Sequence, residues 1–179
     1  MGANSRQWSA TMRERLGLDL SAETIEAAIV DGMIRRYAAE GPPRIDGAAE
    51  TVRRIASAGT PVAVASSSHR DVIDAALDGL GLTDVFHVVV SSDEVTHGKP
   101  APDVFLEAAQ RLEVEPASTL VVEDSLNGIR AAKAAGMGAI LVPNVAIPPA
   151  PGAGELADRV LDRLADLDLD DPTLVAGRG

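Results

Sequence analysis

Thr119-Leu120-Val121-Val122-Glu123-Asp124-Ser125 is a short apolar run that ends in two adjacent carboxylates. Thr119 to Val122 has the length and the β-branched content of a buried strand. Two carboxylates at a strand's C-terminal end are costly to hold unless a cation or hydrogen-bond donors meet them. Hard oxygen ligands of this type suit Mg2+, which keeps several waters of its own. A plainer reading is an acidic turn in which Asp124 or Ser125 caps the next helix, and Ser125-Leu126-Asn127-Gly128 serves that reading equally well.

The same texture repeats on both sides of this stretch. Ala48 to Ala58 reads as an amphipathic helix ended by Gly59, and Val62 to Ala65 as a buried strand. Asp71 to Leu80 reads as a helix stopped at Gly81, and Val85 to Val90 as a second strand. Pro102 to Leu112 reads as a helix with Pro100 and Pro102 at its start. Gly128 to Ala135 reads as a helix stopped at Gly136, and Ala139 to Val142 as a fourth strand. Short strands alternating with helices predict a parallel, doubly wound α/β sheet with helices on both faces. Right-handed crossovers then put every strand's C-terminal end on one edge, where open α/β sheets bind ligands.

Two further stretches reach that edge. The strand Val62 to Ala65 runs into Ser66-Ser67-Ser68 ahead of a helix. Hydroxyls and free backbone N–H groups at a helix start can cradle a phosphate, although a serine N-cap, with Ser68 as the cap, explains them as well. Lys99 stands between Gly98 and Pro100. A long cation held there can neutralise phosphate charge, and a solvated surface lysine is the simpler account.

The flanks differ from this middle. Trp8, Met12 and Leu16, then Ile25, Ala28, Ile29 and Met33, recur at helical spacing, so about Ser5 to Glu40 reads as helical. Ser21, with Thr24 three residues on, is a weak cap. Gly41-Pro42-Pro43 breaks the pattern and serves as a linker. Beyond Ala146 the chain is rich in Pro and Gly, then acidic, with a closing helix or helix plus short strand expected over Val160 to Leu169.

Composition narrows the possible functions. The 179 residues suffice for one substantial core. With 46% apolar residues and only 2% aromatic, that core must be built from Ala, Val, Leu and Ile. Cysteine is absent, which excludes disulfides and thiolate zinc. A formal net charge of −11 opposes nonspecific nucleic-acid binding and attachment to anionic lipid. It leaves room for a phosphorylated small molecule in a pocket made locally positive by one lysine and one divalent metal. Met1 to Arg6 has no apolar stretch behind it, and Ala139 to Val142 is far too short for a bilayer. A cytoplasmic protein without membrane or nucleic-acid partners is expected.

Taken together, Val64-Ala65-Ser66-Ser67-Ser68, Gly98 to Asp103 with Val104-Phe105, and Glu123-Asp124-Ser125 through Gly128, Ala131-Ala132 and Ala134-Ala135-Gly136-Met137 resemble the haloacid dehalogenase-like hydrolases. The branch they resemble contains β-phosphoglucomutase, phosphoglycolate phosphatase and sugar-phosphate phosphatases. The resemblance implies a Rossmann-like core over residues 42–179 and a partial helical cap over residues 1–41. It implies that Ser66 and the backbone amide of Ser67 bind the transferring phosphoryl group. It implies that Lys99 contacts that group and the nucleophile, and that Glu123 and Asp124 hold Mg2+ directly or through water. Arg6, in Gly2-Ala3-Asn4-Ser5-Arg6, resembles a cap arginine that binds a second substrate phosphate; a solvated helix-surface arginine is the plainer reading. The implied activity is Mg2+-dependent hydrolysis of a small phosphate monoester, such as a sugar phosphate or phosphoglycolate. A phosphoglucomutase-type transfer is a close variant, and a phosphate- or partner-binding protein without turnover is the rival from another class.

One piece of the family pattern has no counterpart. Its first motif is a strand ending in Asp-x-Asp, whose first carboxylate attacks phosphorus and whose second serves as general acid and base. Asp19-Leu20 has no strand before it, and Asp46-Gly47 lies in the turn before a helix. Asp166-Leu167-Asp168-Leu169-Asp170 follows a helix-like segment. In the family that strand lies between the serine strand and the acidic-pair strand, so its lack leaves two interior edges unpaired. Neighbouring strands are about 4.8 Å apart, so closing the gap would displace the cradle from the metal acids. A misplacement of about 1 Å can already cost on the order of 100-fold in rate. The 179 residues taken literally are therefore expected to be poorly stable or inactive. A natural chain that starts upstream of Met1 is the favoured reading, ahead of a degenerate remnant or a module completed by another chain's strand.

Overall fold

Alternating helices and short parallel strands follow a helical pair in the computed structural model, which describes residues 5–169 and 171. The helical pair is α1 (Ser5–Leu16) and α2 (Ala22–Glu40), packed on each other. Ser21 caps α2 by accepting from the Thr24 amide at 3.1 Å. The chain then runs α3 (Ala48–Ser57), β1 (Ala63–Ser66), α4 (Arg70–Leu80), β2 (Val88–Ser91), α5 (Asp103–Arg111), β3 (Leu120–Glu123), α6 (Leu126–Ala134) and β4 (Gly138–Leu141). It closes with α7 (Ala153–Leu156) and β5 (Arg159–Val160).

Helix ends are set where the sequence places its stop residues. Gly81 ends α4 in the left-handed region at φ 65°, a conformation that a side chain resists. Three predicted details are corrected. The cap of α4 is His69, whose Nδ1 accepts from the Asp71 amide at 3.3 Å, because the serine run is still turning out of β1. The second strand begins at Val88, since Val85 and Phe86 belong to a turn that packs against Ile73, Leu77 and Leu82. No helix closes the chain over Val160 to Leu169. The two-residue β5 comes first and a 3-10 turn, Leu164–Asp166, follows it.

The strands form two parallel sheets, β1-β2 and β3-β4-β5. Side chains alternate between two helical layers. Ala63, Ala65, Val90, Val121, Ala139 and Leu141 face α5 and α6, where Val104, Phe105, Ala108, Ile129 and Ala132 complete an aliphatic core. Val62, Leu120 and Ile140 face the opposite layer with Ile55 of α3, and Val64 and Val89 face Ile73 and Leu77 of α4. The expected α/β sheet with helices on both faces is therefore what the residues build. β1 and β3 do not pair, however, and the gap between them stays open rather than closing. It persists because α5 packs under β1 and β2, α6 packs under β3 and β4, and the two helices pack on each other. A continuous helical floor thus spans a divided sheet.

Ile129 sits at the centre of that floor and is fully buried. Ile129→Ala is expected to lower the unfolding free energy by about 2–5 kcal/mol through lost contacts and a residual cavity. A urea titration checks this: the midpoint falls while the slope stays unchanged.

Candidate functional site

Three loops deliver polar groups to one cavity of about 820 Å3 at the C-terminal edge of the strands. Ser66, the last residue of β1, and Ser67 and Ser68 after it form one wall. Lys99 reaches in from the loop before α5, and Glu123, Asp124 and Ser125 come from the end of β3. Trp8 of α1 and Ile29, Val30 and Met33 of α2 line the cavity from the helical pair. Ser66, Ser67, Lys99, Glu123 and Asp124 are thus brought together. Arg6 lies in α1, with its side chain outside the described residues.

Lys99 is the hub. Its Nζ donates to the Ala65 carbonyl at 3.1 Å and pairs with Glu123 Oε1. The ammonium also stands 4.6 Å from the centroid of the Phe105 ring, where the negative face of the π-system attracts it. Side-chain exposures of 6% for Lys99 and 9% for Glu123 make this a desolvated pair. Such pairs hold only when the remaining lone pairs are also met. Here they are: Glu123 Oε2 accepts from the Asp124 amide, the Ser125 amide and the Ser125 hydroxyl at 3.0–3.2 Å. Ser125 is the N-cap of α6 and accepts from the Gly128 amide at 3.0 Å, so one hydroxyl serves the helix and the carboxylate together. The capping reading of this serine is realised.

Asp124 is the unsettled member. Although it keeps an exposed flank, partial enclosure at the cavity rim pushes its carboxyl above the usual range, and the Glu123 charge adds to the shift. Its own backbone amide, Lys99 and the Asn144 side chain act in the opposite direction. A cation at Asp124 would relieve both raising effects, so the pair fits a hard divalent ion. Glu123, with both oxygens occupied, would meet it through water. Ser66 Oγ accepts from the Ser68 amide at 3.1 Å, a local bond that tightens the turn leaving β1 at the cavity wall.

Other residues at the site escaped sequence reading. Asn144 stands just past β4, and its place after a strand's C-terminal end was the available signal. Gly128 was visible only as part of a motif. A Cβ on it would fall 1.9 Å from Glu123 Cδ and 2.2 Å from each carboxylate oxygen, so the carboxylate fits only because the helix has no side chain there. Away from the acidic pair, ligand atoms of Glu26, His69 and Asp93 lie within 4.8 Å of one another, where α2 meets the start of α4.

The fold and this edge define an α/β protein of Rossmann-like architecture with its polar groups at the strands' C-terminal ends. The profile of the haloacid dehalogenase-like hydrolases matches residues 1–136. The chain belongs to that family. It is 43% identical over 127 residues to the bifunctional riboflavin kinase/FMN phosphatase of Arabidopsis thaliana, covering 70% of this chain and 33% of that protein. It is 49% identical over 80 residues to the fructose-1-phosphate phosphatase YqaB of Escherichia coli, covering 45% of this chain and 43% of that one. The chain therefore spans less than half the length of these curated relatives. Among solved structures, CbbY from Rhodobacter sphaeroides in complex with phosphate superposes with a TM-score of 0.83 at 30% identity, covering 92% of this chain and 75% of that one.

Two substitutions probe the site. On an open helix face Gly→Ala gains up to about 1 kcal/mol. Gly128→Ala is instead expected to cost about 3 kcal/mol, because it evicts the carboxylate paired with Lys99. In a Glu123→Ala background the same change turns neutral or stabilising, which a double-mutant cycle by urea unfolding reads directly. Because the Asp124 carboxyl is raised in the folded state, its contribution is fully present below the unfolded value near 3.9 and is lost as pH rises through the folded value. Asp124→Asn is therefore expected to raise Tm at neutral pH, with the gain vanishing at about pH 3.

Proposed function

We propose that this chain carries the phosphoryl-binding and metal-holding part of a Mg2+-dependent phosphatase that acts on small phosphate monoesters of the sugar phosphate or phosphoglycolate type. One observation carries the reading: groups from the ends of β1 and β3 and from the loop before α5 converge on one cavity rim, with Lys99 joining the Ala65 end of β1 to Glu123 of β3. The relatives named as phosphatases support it.

In this reading Ser66 and the Ser67 amide hold the phosphoryl oxygens, and Lys99 supplies positive charge as phosphoryl charge shifts in the transition state. Asp124 and Glu123 would hold Mg2+, directly or through water. A bound Mg2+ would neutralise phosphate charge and orient the ester. Asn144 keeps the Asp124 carboxyl turned to the rim. Residues 1–41 act as the cap, with Trp8, Ile29, Val30 and Met33 closing over the substrate, and Arg6 is kept as a candidate for its distal phosphate. Among the described residues no strand ends in an Asp-x-Asp pair, so attack on phosphorus is assigned to none of them. A phosphate-binding protein without turnover is the second reading, and that observation favours it for the 179 residues by themselves.

Calorimetric titration with inorganic phosphate tests the proposal. Phosphate is expected to bind only when Mg2+ is present, at least tenfold more weakly to Lys99→Met. Mg2+ alone should raise the Tm of the unaltered chain and leave that of Asp124→Asn unmoved. Phosphate binding indifferent to both Mg2+ and Lys99 would sink the assignment. Release of phosphate from fructose 1-phosphate that disappears in Lys99→Met would overturn the second reading.

A further inference from the structure

We infer that Glu26, His69 and Asp93 form a second metal site, separate from the acidic pair, which takes a transition-metal ion of the Zn2+ class and ties α2 to the α/β core. The three residues come from three segments. Glu26 lies in α2, His69 caps α4, and Asp93 stands in a short turn just past β2. One ligand atom from each lies within 4.8 Å of the others, and all three residues are half-buried. Ile25, beside Glu26, is 4% exposed, and α2 packs on α4, so the helix is anchored at this point.

The local charges call for a cation. Two carboxylates meet one imidazole, and the arginines nearby are engaged elsewhere. Arg70, next to His69, pairs with Asp74 and Glu94, and Arg111 pairs with Glu94 and Glu107. Among the described residues Glu26 forms no ion pair with a lysine or arginine. The imidazole is also placed for an ion. Helix N-caps favour Ser, Thr, Asp and Asn, and three serines stand directly before His69, yet the imidazole takes the cap position. Its Nδ1 accepts from the Asp71 amide at 3.3 Å and stands 3.7 Å from Asp71 Oδ2. Nε2 is therefore the nitrogen left for a metal. When an ion takes Nε2, the proton of the neutral ring moves to Nδ1, which then donates to the Asp71 carboxylate instead of accepting from the amide. A carboxylate behind the ring fixes the tautomer and orientation of a metal-bound histidine in this way.

One nitrogen and two carboxylate oxygens set the class of ion. Imidazole suits Zn2+ and its neighbours, whereas Mg2+ and Ca2+ prefer oxygen throughout. Ligand atoms around a tetrahedral Zn2+ stand about 3.4 Å apart, for bonds of about 2.1 Å, so a small inward turn of the Glu26 side chain closes the set and water completes it. Glu26 belongs to the helical pair and the other two residues to the core, so the ion would hold one against the other. His69 directly follows Ser66-Ser67-Ser68, so the same ion would steady that wall of the cavity.

The inference goes beyond the phosphatase reading, and its test uses no turnover. The probe is Zn2+ alone, titrated calorimetrically into the 179-residue chain in a large excess of Mg2+. One Zn2+ per chain should bind, at least tenfold more weakly to Glu26→Gln and to His69→Gln, and undiminished to Asp124→Asn. Glu26→Gln is the decisive variant, because it keeps the shape of the side chain and leaves the α4 cap intact. Amide exchange in α2 should slow at least tenfold when Zn2+ is added to the unaltered chain and stay unmoved in Glu26→Gln. Equal affinity for the unaltered chain and Glu26→Gln overturns the proposal, as does the lack of saturable binding to the unaltered chain. Binding that fails only in Asp124→Asn puts the ion at the acidic pair and overturns it too. So does binding that leaves exchange in α2 unchanged.

Discussion

A single buried ammonium organises the polar edge of this molecule. Lys99 joins the end of β1 to the end of β3, and no backbone ladder does so. An ion pair so desolvated is neutral in stability at best unless every remaining lone pair and proton is met. That condition explains the residues around it. Phe105 offers its ring face to the cation. Ser125 and two backbone amides occupy the far carboxylate oxygen. Gly128 has no side chain because the carboxylate fills the space one would take. Five positions spread over loop, strand and helix are thus one arrangement, and altering any of them acts through the same carboxylate.

The floor beneath that edge does different work. Ala108, Ala109, Ala131, Ala132 and Ala139 are small enough for helices to lie close on the strands, and Val104, Ile129 and Leu141 fill the space between them. This aliphatic layer reaches both sheets, so the cradle on β1 and the acids on β3 keep a common frame across the open cleft. Strand spacing alone predicts that the cradle and the acids shift relative to each other where β1 and β3 do not pair; the helices, continuous in packing where the sheet is not, supply the frame instead.

What could be read from the chain followed from periodicity and stop residues. β1, β3 and β4 emerged to within a residue, because short β-branched runs between helices have few alternatives. The convergence of Ser66, Lys99 and Glu123–Asp124 also emerged, because parallel topology sends every strand's C-terminal end to one edge. The misses lie in geometry. The contact of Asn144 with Asp124 and the space that Gly128 leaves depend on distances between elements, and the His69 cap depends on how far the serine run turns before α4 begins. The closing segment failed for another reason: Arg159–Val160 pairs with β4 through only two residues, too few to leave a pattern.

The acidic pair gains its asymmetry from the same hub. Glu123 and Asp124 are adjacent in sequence and carry the same charge, yet they meet opposite environments. Glu123 is turned inward to a cation and three donors. Asp124 is turned to the rim with Asn144 as its side-chain partner, and burial together with its neighbour's charge disfavours its ionised form. Two like carboxylates side by side divide their roles in this way when only one cation is available. The inner one becomes structural and fixes the strand end. The outer one keeps unmet charge at the mouth of the cavity, which is the property that a divalent ion answers.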